Sequence, residues 1–342
     1  MQAKKLLATL AGATALAGSA IWAAGAANPH PVIGFTVYDM TSFISWGKQG
    51  AETIAKSCGA KLLWQTANND VNSQVSQMQQ FVNRKVDIIV VAAVNSSTLG
   101  PQIMAAKAAG VPVLATNLSI SAAAASSLVG YVGPNDVGAG EQEAQAVVDA
   151  LHGKGNIVVL QGPIGQSAEI DRSQGIKNVL AKNPGVKLLA IQPGNWERDQ
   201  AYKLMQDWLS RYGSQVNGVV AENDDMAIGA IRALKEKSLN GKIPVSGVDG
   251  IKDGMRAVRA GDMIETNLQN AAIELGEATQ AACDYAKDGK QAPANALLQM
   301  PRITKANVDR YYGQLFDHPA QFLEGLPKLV KANLASGNYA EQ

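Results

Sequence analysis

The sequence predicts an α/β protein built as two doubly wound parallel-sheet units in series. Three observations carry this. Short apolar runs such as Asp87–Val91 (DIIVV) alternate with longer stretches of helical spacing, the pattern of βαβ units. The rhythm restarts in the second half of the chain. And 342 residues, 46% of them apolar, are enough for about two domains with sizeable cores.

In the first unit, Val32–Val37 reads as a strand and Phe43–Cys58 as a helix. Lys61–Thr66 is the next strand, Val71–Arg84 a helix, and Asp87–Val91 a strand apolar enough to be buried on both faces. Leu99–Ala109 is helical, Gly110 bounds the strand Val111–Thr116, and Leu128–Val132 is a fifth strand. The second unit begins with the strand Ile157–Gln161 and the helix Ser167–Lys182. Val186–Gln192 and Val216–Ala221 are strands flanking the helix Asp199–Tyr212. Met226–Lys237 is helical, Ile243–Val248 a strand, Ile251–Ala260 a short helix and Met263–Leu268 a strand. Ala271–Lys287 is a helix and Leu297–Ile303 a last strand. The halves share a pattern, not a close sequence repeat.

Residues 1–27 read as a secretory signal. Lys4 and Lys5 precede an apolar, small-residue run from Leu6 to about Ala23, and Ala24 to Ala27 offer a cleavage site. The alternative, a membrane anchor, suits this Ala-, Gly- and Thr-rich run less well, because it is weakly hydrophobic for a permanent span. Removing the segment takes two lysines and no acid, so the formal charge goes from +1 to −1. A soluble protein in an oxidising compartment is expected.

Composition excludes several function classes. Charged residues are 17%, against a usual figure of about 25%, which excludes a disordered polyelectrolyte. A net charge near zero argues against a nucleic-acid partner. Three His and two Cys leave no material for a zinc cluster. No GxxxxGK[ST], HExxH or GxSxG occurs. Gly138-Ala139-Gly140 and Gly162-Pro163-Ile164-Gly165 do not complete a dinucleotide fingerprint and read as loop-to-helix starts. His30, His152 and His318 follow no predicted strand, so a His-based acid–base mechanism has no seat, and nothing in the sequence makes Asp224 and Asp249 a glycosidase pair. No catalytic residue, metal or cofactor is expected.

Doubly wound sheets bind ligands beyond the carboxyl ends of their strands. The residues there are Tyr38–Phe43, Asn68–Asp70, Ala93–Ser96 and Asn117–Leu118 in the first unit. In the second they are Pro163–Ser167, Asn195–Trp196, Glu222–Asp224, Asp249–Gly250 and then Gln269. Amides, carboxylates, aromatics and the nearby Arg172 suit a neutral polyhydroxylated ligand. Amides and carboxylates bind adjacent hydroxyls, and aromatic faces cover C–H faces. The candidate ligand-binding set is Asp39, Thr41, Phe43, Asn117, Arg172, Trp196, Asn223, Asp249 and Gln269. Each has a plainer reading: Asp224 fits a helix cap better than a ligand contact, Asp249-Gly250 could serve as a turn, and Trp196 could be a core residue.

From about Pro31 to Ile303 the chain resembles the type I periplasmic binding proteins of bacterial ABC sugar importers, particularly the ribose-binding group. The resemblance is carried by Val220-Ala221-Glu222-Asn223-Asp224-Asp225-Met226-Ala227-Ile228-Gly229-Ala230, by Gly247-Val248-Asp249-Gly250 and by Val159-Leu160-Gln161-Gly162. It matches Asn223 and Asp249 to the family's sugar-binding Asn and Asp, and Arg172 to its cleft Arg. Trp196 matches its stacking aromatic, Gln269 its late hinge-side Gln, and Phe43 one of two first-lobe aromatics. The second aromatic is replaced by Ile44, and an Asp-Arg pair of ribose binders by Asn117-Leu118. Losing an Arg donor costs about 1.5–3 kcal/mol. This argues against ribose and leaves another pentose, a hexose or a linear sugar alcohol.

The resemblance implies a clamshell whose chain crosses between lobes near Val132–Asn135, Thr266–Asn270 and Leu297–Arg302. The lobes would comprise residues 28–133 with 268–297, and 134–267 with 298–303. Residues 304–342 would form an extension packed on the surface through Tyr311, Tyr312, Leu315, Phe322 and Leu326. It further implies a monomeric periplasmic protein that closes on a pentose, hexose or polyol and presents it to an ABC permease in the inner membrane. A signal sensor that feeds a chemoreceptor or binds a furanosyl autoinducer is the alternative. A DNA-binding regulator of the lac-repressor type would need a helix-turn-helix where the signal stands, and a secreted hydrolase has no motif behind it. In such a sheet Cys58 and Cys283 lie on helices of one face, and secretion permits a disulfide between them; two free thiols are the other outcome.

Overall fold

The computed structural model describes residues 28–339; the predicted signal segment lies outside them. The first sheet holds β1 (Val32–Val37), β2 (Lys61–Thr66), β3 (Ile88–Val91), β4 (Val113–Thr116) and β5 (Gly130–Pro134). The second holds β6 (Gly155–Gln161), β7 (Val186–Pro193), β8 (Gly218–Ala221), β9 (Val245–Asp249) and β10 (Glu265–Leu268). The predicted last strand is two short ones. β11 (Ala296–Leu298) pairs parallel with β5, and β12 (Arg302–Thr304) pairs antiparallel with β10. The strand orders are β2-β1-β3-β4-β5-β11 and β7-β6-β8-β9-β10-β12, so the two lobes repeat one strand order and differ in the direction of the last strand. The chain passes between sheets three times, after β5, after β10 and between β11 and β12.

Helices α1 (Ser42–Cys58), α2 (Val71–Asn83), α3 (Gly100–Ala108) and α4 (Ala122–Ala125) follow the first four strands. α5 (Asp136–Ala150), which the strand-by-strand reading left without bounds, enters the second lobe. Its small residues give it a weak apolar stripe, although Ala139, Ala144, Val147 and Val148 are buried. α6 (Ser167–Lys182), α7 (Arg198–Tyr212), α8 (Asp224–Glu236) and α9 (Lys252–Ala260) complete that lobe, and α10 (Ala271–Asp288) returns to the first.

β3 is buried on both faces because α1 and α10 cover one side of its sheet while α2 and α3 cover the other. α1 and α10 approach so closely at Gly50 that a Cβ there would meet the Ala272 carbonyl oxygen at 2.2 Å. Cys58 at the end of α1 and Cys283 on α10 are joined, with Cα atoms 6.6 Å apart. The C-terminal extension touches both lobes. α11 (Val308–Tyr312) sits on α9 and β12, one π-helical turn follows at Gly313–Asp317, and α12 (Pro319–Ser336) packs on α1 and α10. Tyr312, Leu315 and Leu326 are buried; Tyr311 and Phe322 are partly so.

Candidate functional site

The carboxyl ends of β1, β4, β8, β9 and β10 meet between the lobes, as the topology requires. Tyr38, Thr41 and Phe43 come from the turn after β1 and the start of α1; Thr41 caps that helix by accepting from Ile44 N at 3.2 Å. Asn117 and Leu118 follow β4, Asn223 follows β8, Asp249 ends β9 and Gln269 follows β10. Ala168, Arg172 and Trp196 complete the walls. Asn117, Trp196 and Asp249 have φ of +61°, +62° and +115°. Side chains rarely adopt such conformations, and they persist where the surroundings dictate them, commonly at binding sites.

Arg172 organises the polar wall. Its Nε donates to Asp136 Oδ1 at 2.8 Å, Nη2 donates to Gln269 Oε1 at 2.8 Å, and Nη1 donates to the Glu222 carbonyl oxygen. Nη1 also lies 3.8 Å from Asp249 Oδ1. Burial works against the guanidinium charge, but Asp136, Asp249 and Glu143 outweigh it and hold its proton more tightly than usual. Burial pushes the Asp249 carboxyl well up against the pull of Arg172. Gln269 passes the network on, its Nε2 donating to Glu274 Oε2 at 2.8 Å. Glu274, wholly buried on α10, is pushed up to about 8 by burial, against the hydrogen bond from Gln269.

Phe43 and Trp196 supply the apolar walls at 4% and 6% exposure. The Trp196 Nε1 donates to Gln166 Oε1 at 2.7 Å, and a Cβ at Gly162 would stand 2.0 Å from the ring. Only a glycine lets the indole lie there. The guanidinium of Arg172 lies 5.6 Å from the ring centre. The walls leave a cavity of only about 20 Å³ between them. The lobes stand closed. Ser42 Oγ donates to Asp225 Oδ1 at 3.1 Å, Ser96 N to the Gly165 carbonyl at 3.1 Å, and Ser119 N to Ser167 Oγ at 2.7 Å.

Eight of the nine candidate residues meet in this cavity: Thr41, Phe43, Asn117, Arg172, Trp196, Asn223, Asp249 and Gln269. Asp39 does not join its walls. Its carboxylate accepts from Met40 N and from Asn69 Nδ2, both at 2.8 Å, which spends it on its own turn. Asn223, not Asp224, is the helix cap, its Oδ1 accepting from Met226 N at 2.9 Å. That leaves the amide's NH2 end as the donor available to a ligand. Asp224 instead braces the next loop by accepting from Ile251 N at 2.9 Å. Tyr38, Leu118 and Ala168 stood in the predicted strand-end sets or beside them without being singled out. Gln166 stood in the strand-end set Pro163–Ser167 without being singled out; Asp136 and Glu274 lay outside those sets, and the Asp136 partner Arg172 is 36 residues away.

A two-lobed α/β fold closed over one small polar cavity defines a solute-binding protein. The family model described as periplasmic binding protein domain matches residues 33–291, and the chain belongs to that family. A xylitol-binding protein of Mycolicibacterium smegmatis is 47% identical over 308 residues, covering 90% of this chain and 87% of that one. Among solved structures, the arabinose ABC transporter's binding component from Shewanella, bound to α- and β-L-arabinofuranose, is 26% identical with a TM-score of 0.80. It covers 86% of this chain and 98% of that chain. An ABC transporter solute binding protein from Bacillus halodurans with bound myo-inositol is 25% identical with a TM-score of 0.78, covering 83% and 98%. These are binding proteins rather than enzymes, and so is this chain; the family's place is the periplasm.

Proposed function

We propose that the protein captures a small neutral sugar alcohol or sugar in the periplasm by lobe closure and hands it to an ABC permease in the inner membrane. An acyclic pentitol such as xylitol is the favoured ligand. The observation that carries this reading is the convergence of Asn117, Arg172, Asn223 and Asp249, from both lobes, between Phe43 and Trp196. Alternating donors and acceptors suit vicinal hydroxyls, and the two aromatic rings suit the carbon chain. Leu118 offers no charge to a ring sugar on the first lobe, and the relative at 47% identity is named for xylitol. We further propose that residues 1–27 are a cleaved leader and that the mature protein is a monomer without affinity for nucleic acid.

The test is calorimetric titration of mature protein with xylitol, D-arabitol, ribitol, D-xylose, D-ribose and myo-inositol. Micromolar or tighter binding of one pentitol, with ribose at least about 100-fold weaker, is the expected result. No heat and no thermal shift with any of the six would overturn the ligand class. At 100 times its dissociation constant a true ligand adds about 2.7 kcal/mol of stability.

A further inference from the structure

The closed cavity has a larger neighbour. A cleft of about 430 Å³ lies against it, walled by α1, by the starts of α9 and α10, by Arg198 of α7 and by the C-terminal extension. Its volume falls within the range of about 300–1,000 Å³ usual for small-molecule sites. The closed cavity measures only about 20 Å³. Phe43, Asp249 and Gln269 belong to the walls of both, so the two spaces lie back to back across these three side chains. Trp196, the other apolar wall of the closed cavity, takes no part in the cleft.

The three shared residues are held differently. Both ends of the Gln269 amide are spent, Oε1 accepting from Arg172 Nη2 and Nε2 donating to Glu274 Oε2, each at 2.8 Å. Asp249 has a φ of +115° and its Oδ1 lies 3.8 Å from Arg172 Nη1. Phe43 has no polar atom on its ring and is held by packing, at 4% exposure. Its backbone is fixed, since Thr41 caps α1 and Ser42 Oγ donates to Asp225 Oδ1 across the lobes at 3.1 Å. The size of the side chain at position 43 therefore decides whether the two spaces are separate or one.

Beyond Phe43 the cleft offers the chemistry that a sugar ring uses. The rings of Trp46 and Phe316 stand 6.0 Å apart on its wall, and Gln49, Arg198, Lys252 and Asp253 bring donors and acceptors. Aromatic faces cover C–H faces, and amide, cationic and carboxylate groups bind hydroxyls. Room and contacts for a second sugar unit thus lie directly behind the wall that ends the first.

Resting on the reading of the closed cavity as the ligand site, we infer that Phe43 sets the length limit of the ligand. Its ring shuts the cavity off from the cleft, so a single sugar or sugar alcohol is accepted and one carrying a further sugar unit is refused by a clash.

The experiment is titration of xylitol and three glycosylated alditols (reduced xylobiose, maltitol and lactitol) into the mature protein and its Phe43→Ala, Phe43→Leu and Trp196→Ala variants, with melting temperatures recorded for each. The parent should bind each longer alditol at least about 100-fold more weakly than xylitol. Phe43→Ala should weaken xylitol about tenfold, as the loss of an apolar wall requires, and narrow the gap to at least one longer alditol by about tenfold or more. Trp196→Ala should weaken xylitol by a similar factor and leave the gap as it is, because Trp196 does not stand against the cleft. Phe43→Leu, with a side chain of intermediate size, should narrow the gap less than Phe43→Ala. A gap in Phe43→Ala within about threefold of the parent's for all three longer alditols overturns the inference. So does a gap narrowed equally by Trp196→Ala, or a parent that binds a longer alditol as well as xylitol. If Phe43→Ala does not fold, Phe43→Leu takes its place under the same criteria. A parent that binds none of the four means that the reading of the ligand, rather than of the partition, has failed, and the inference falls with it.

Discussion

Trp196 shows how far single residues could be read. Its place after a strand, and the resemblance, made it a stacking candidate. What holds it is not local: Gly162 vacates the space beneath the ring, and Gln166 takes its N–H. Trp196→Ala should weaken polyol binding about tenfold, since a buried aromatic platform contributes on the order of 1 kcal/mol beyond its area. Calorimetry on the folded variant would check it. Gly162→Ala should be the more damaging change, because the added methyl meets the indole, and overpacking costs about 1–3 kcal/mol. A lower melting temperature together with weaker binding is expected. Position alone gave the cap to Asp224 and left Asn223 to the ligand, whereas Asn223 is the cap; both residue types cap well, so their ranking is not local. That ranking depends on Asp224 reaching Ile251, which is a tertiary fact. Asp39 misled for the opposite reason, since a strand-end carboxylate also satisfies its own turn.

Elements with a strong apolar rhythm were legible almost to their ends: β1 and β2 have the predicted bounds, and α1 begins one residue early at Ser42. α5 was not, because its helix is built largely from Ala, Gly and polar residues around few large apolar ones. The predicted strand Leu297–Ile303 is divided by the crossing at Gln299 to Pro301, and sequence spacing does not mark which sheet each half joins. The join between Cys58 and Cys283 ties α1 to α10 across a separation of 225 residues, an element-scale cross-link within the first lobe. It should stabilise that lobe by about 2–4 kcal/mol, chiefly by restricting the unfolded chain. The protein unfolded without reductant is expected to show no titratable thiol, and two after reduction. Cys283→Ser should melt several degrees lower and still bind ligand, because both cysteines are remote from the cavity walls. Two thiols in the unreduced protein would show that the link does not form.

At the scale of the whole molecule, closure gathers carboxyl groups where water is scarce. Burial pushes Glu222, Asp224 and Glu274 up to about 8 and Glu277 to about 7. Three of these four sit around the site or directly behind it: Glu222 accepts from Ser173 Oγ at 2.7 Å and from Gly162 N at 2.8 Å, beneath Trp196. The unfolded chain would hold the same groups at about 4.3 for Glu and 3.9 for Asp. Between those values and 8, the folded protein therefore binds more protons than the unfolded one, and stability falls as pH rises. The stabilising effect of these protons is fully present below the unfolded values and is lost as pH climbs through the folded ones. Most acidic globular proteins lose stability on acidification through salt-bridged carboxylates; here the dominant buried set works in the other sense. The melting temperature of the ligand-free protein should peak on the acid side of neutrality and decline steadily from about pH 5.5 to pH 8.5. Glu222→Gln and Glu274→Gln, each removing one of the titrating groups while keeping its shape, should each flatten that slope. A melting temperature that is level or rising across the interval would mean that these carboxyls are ionised inside the closed protein, with Arg172 and the helix N-termini supplying more compensation than burial removes.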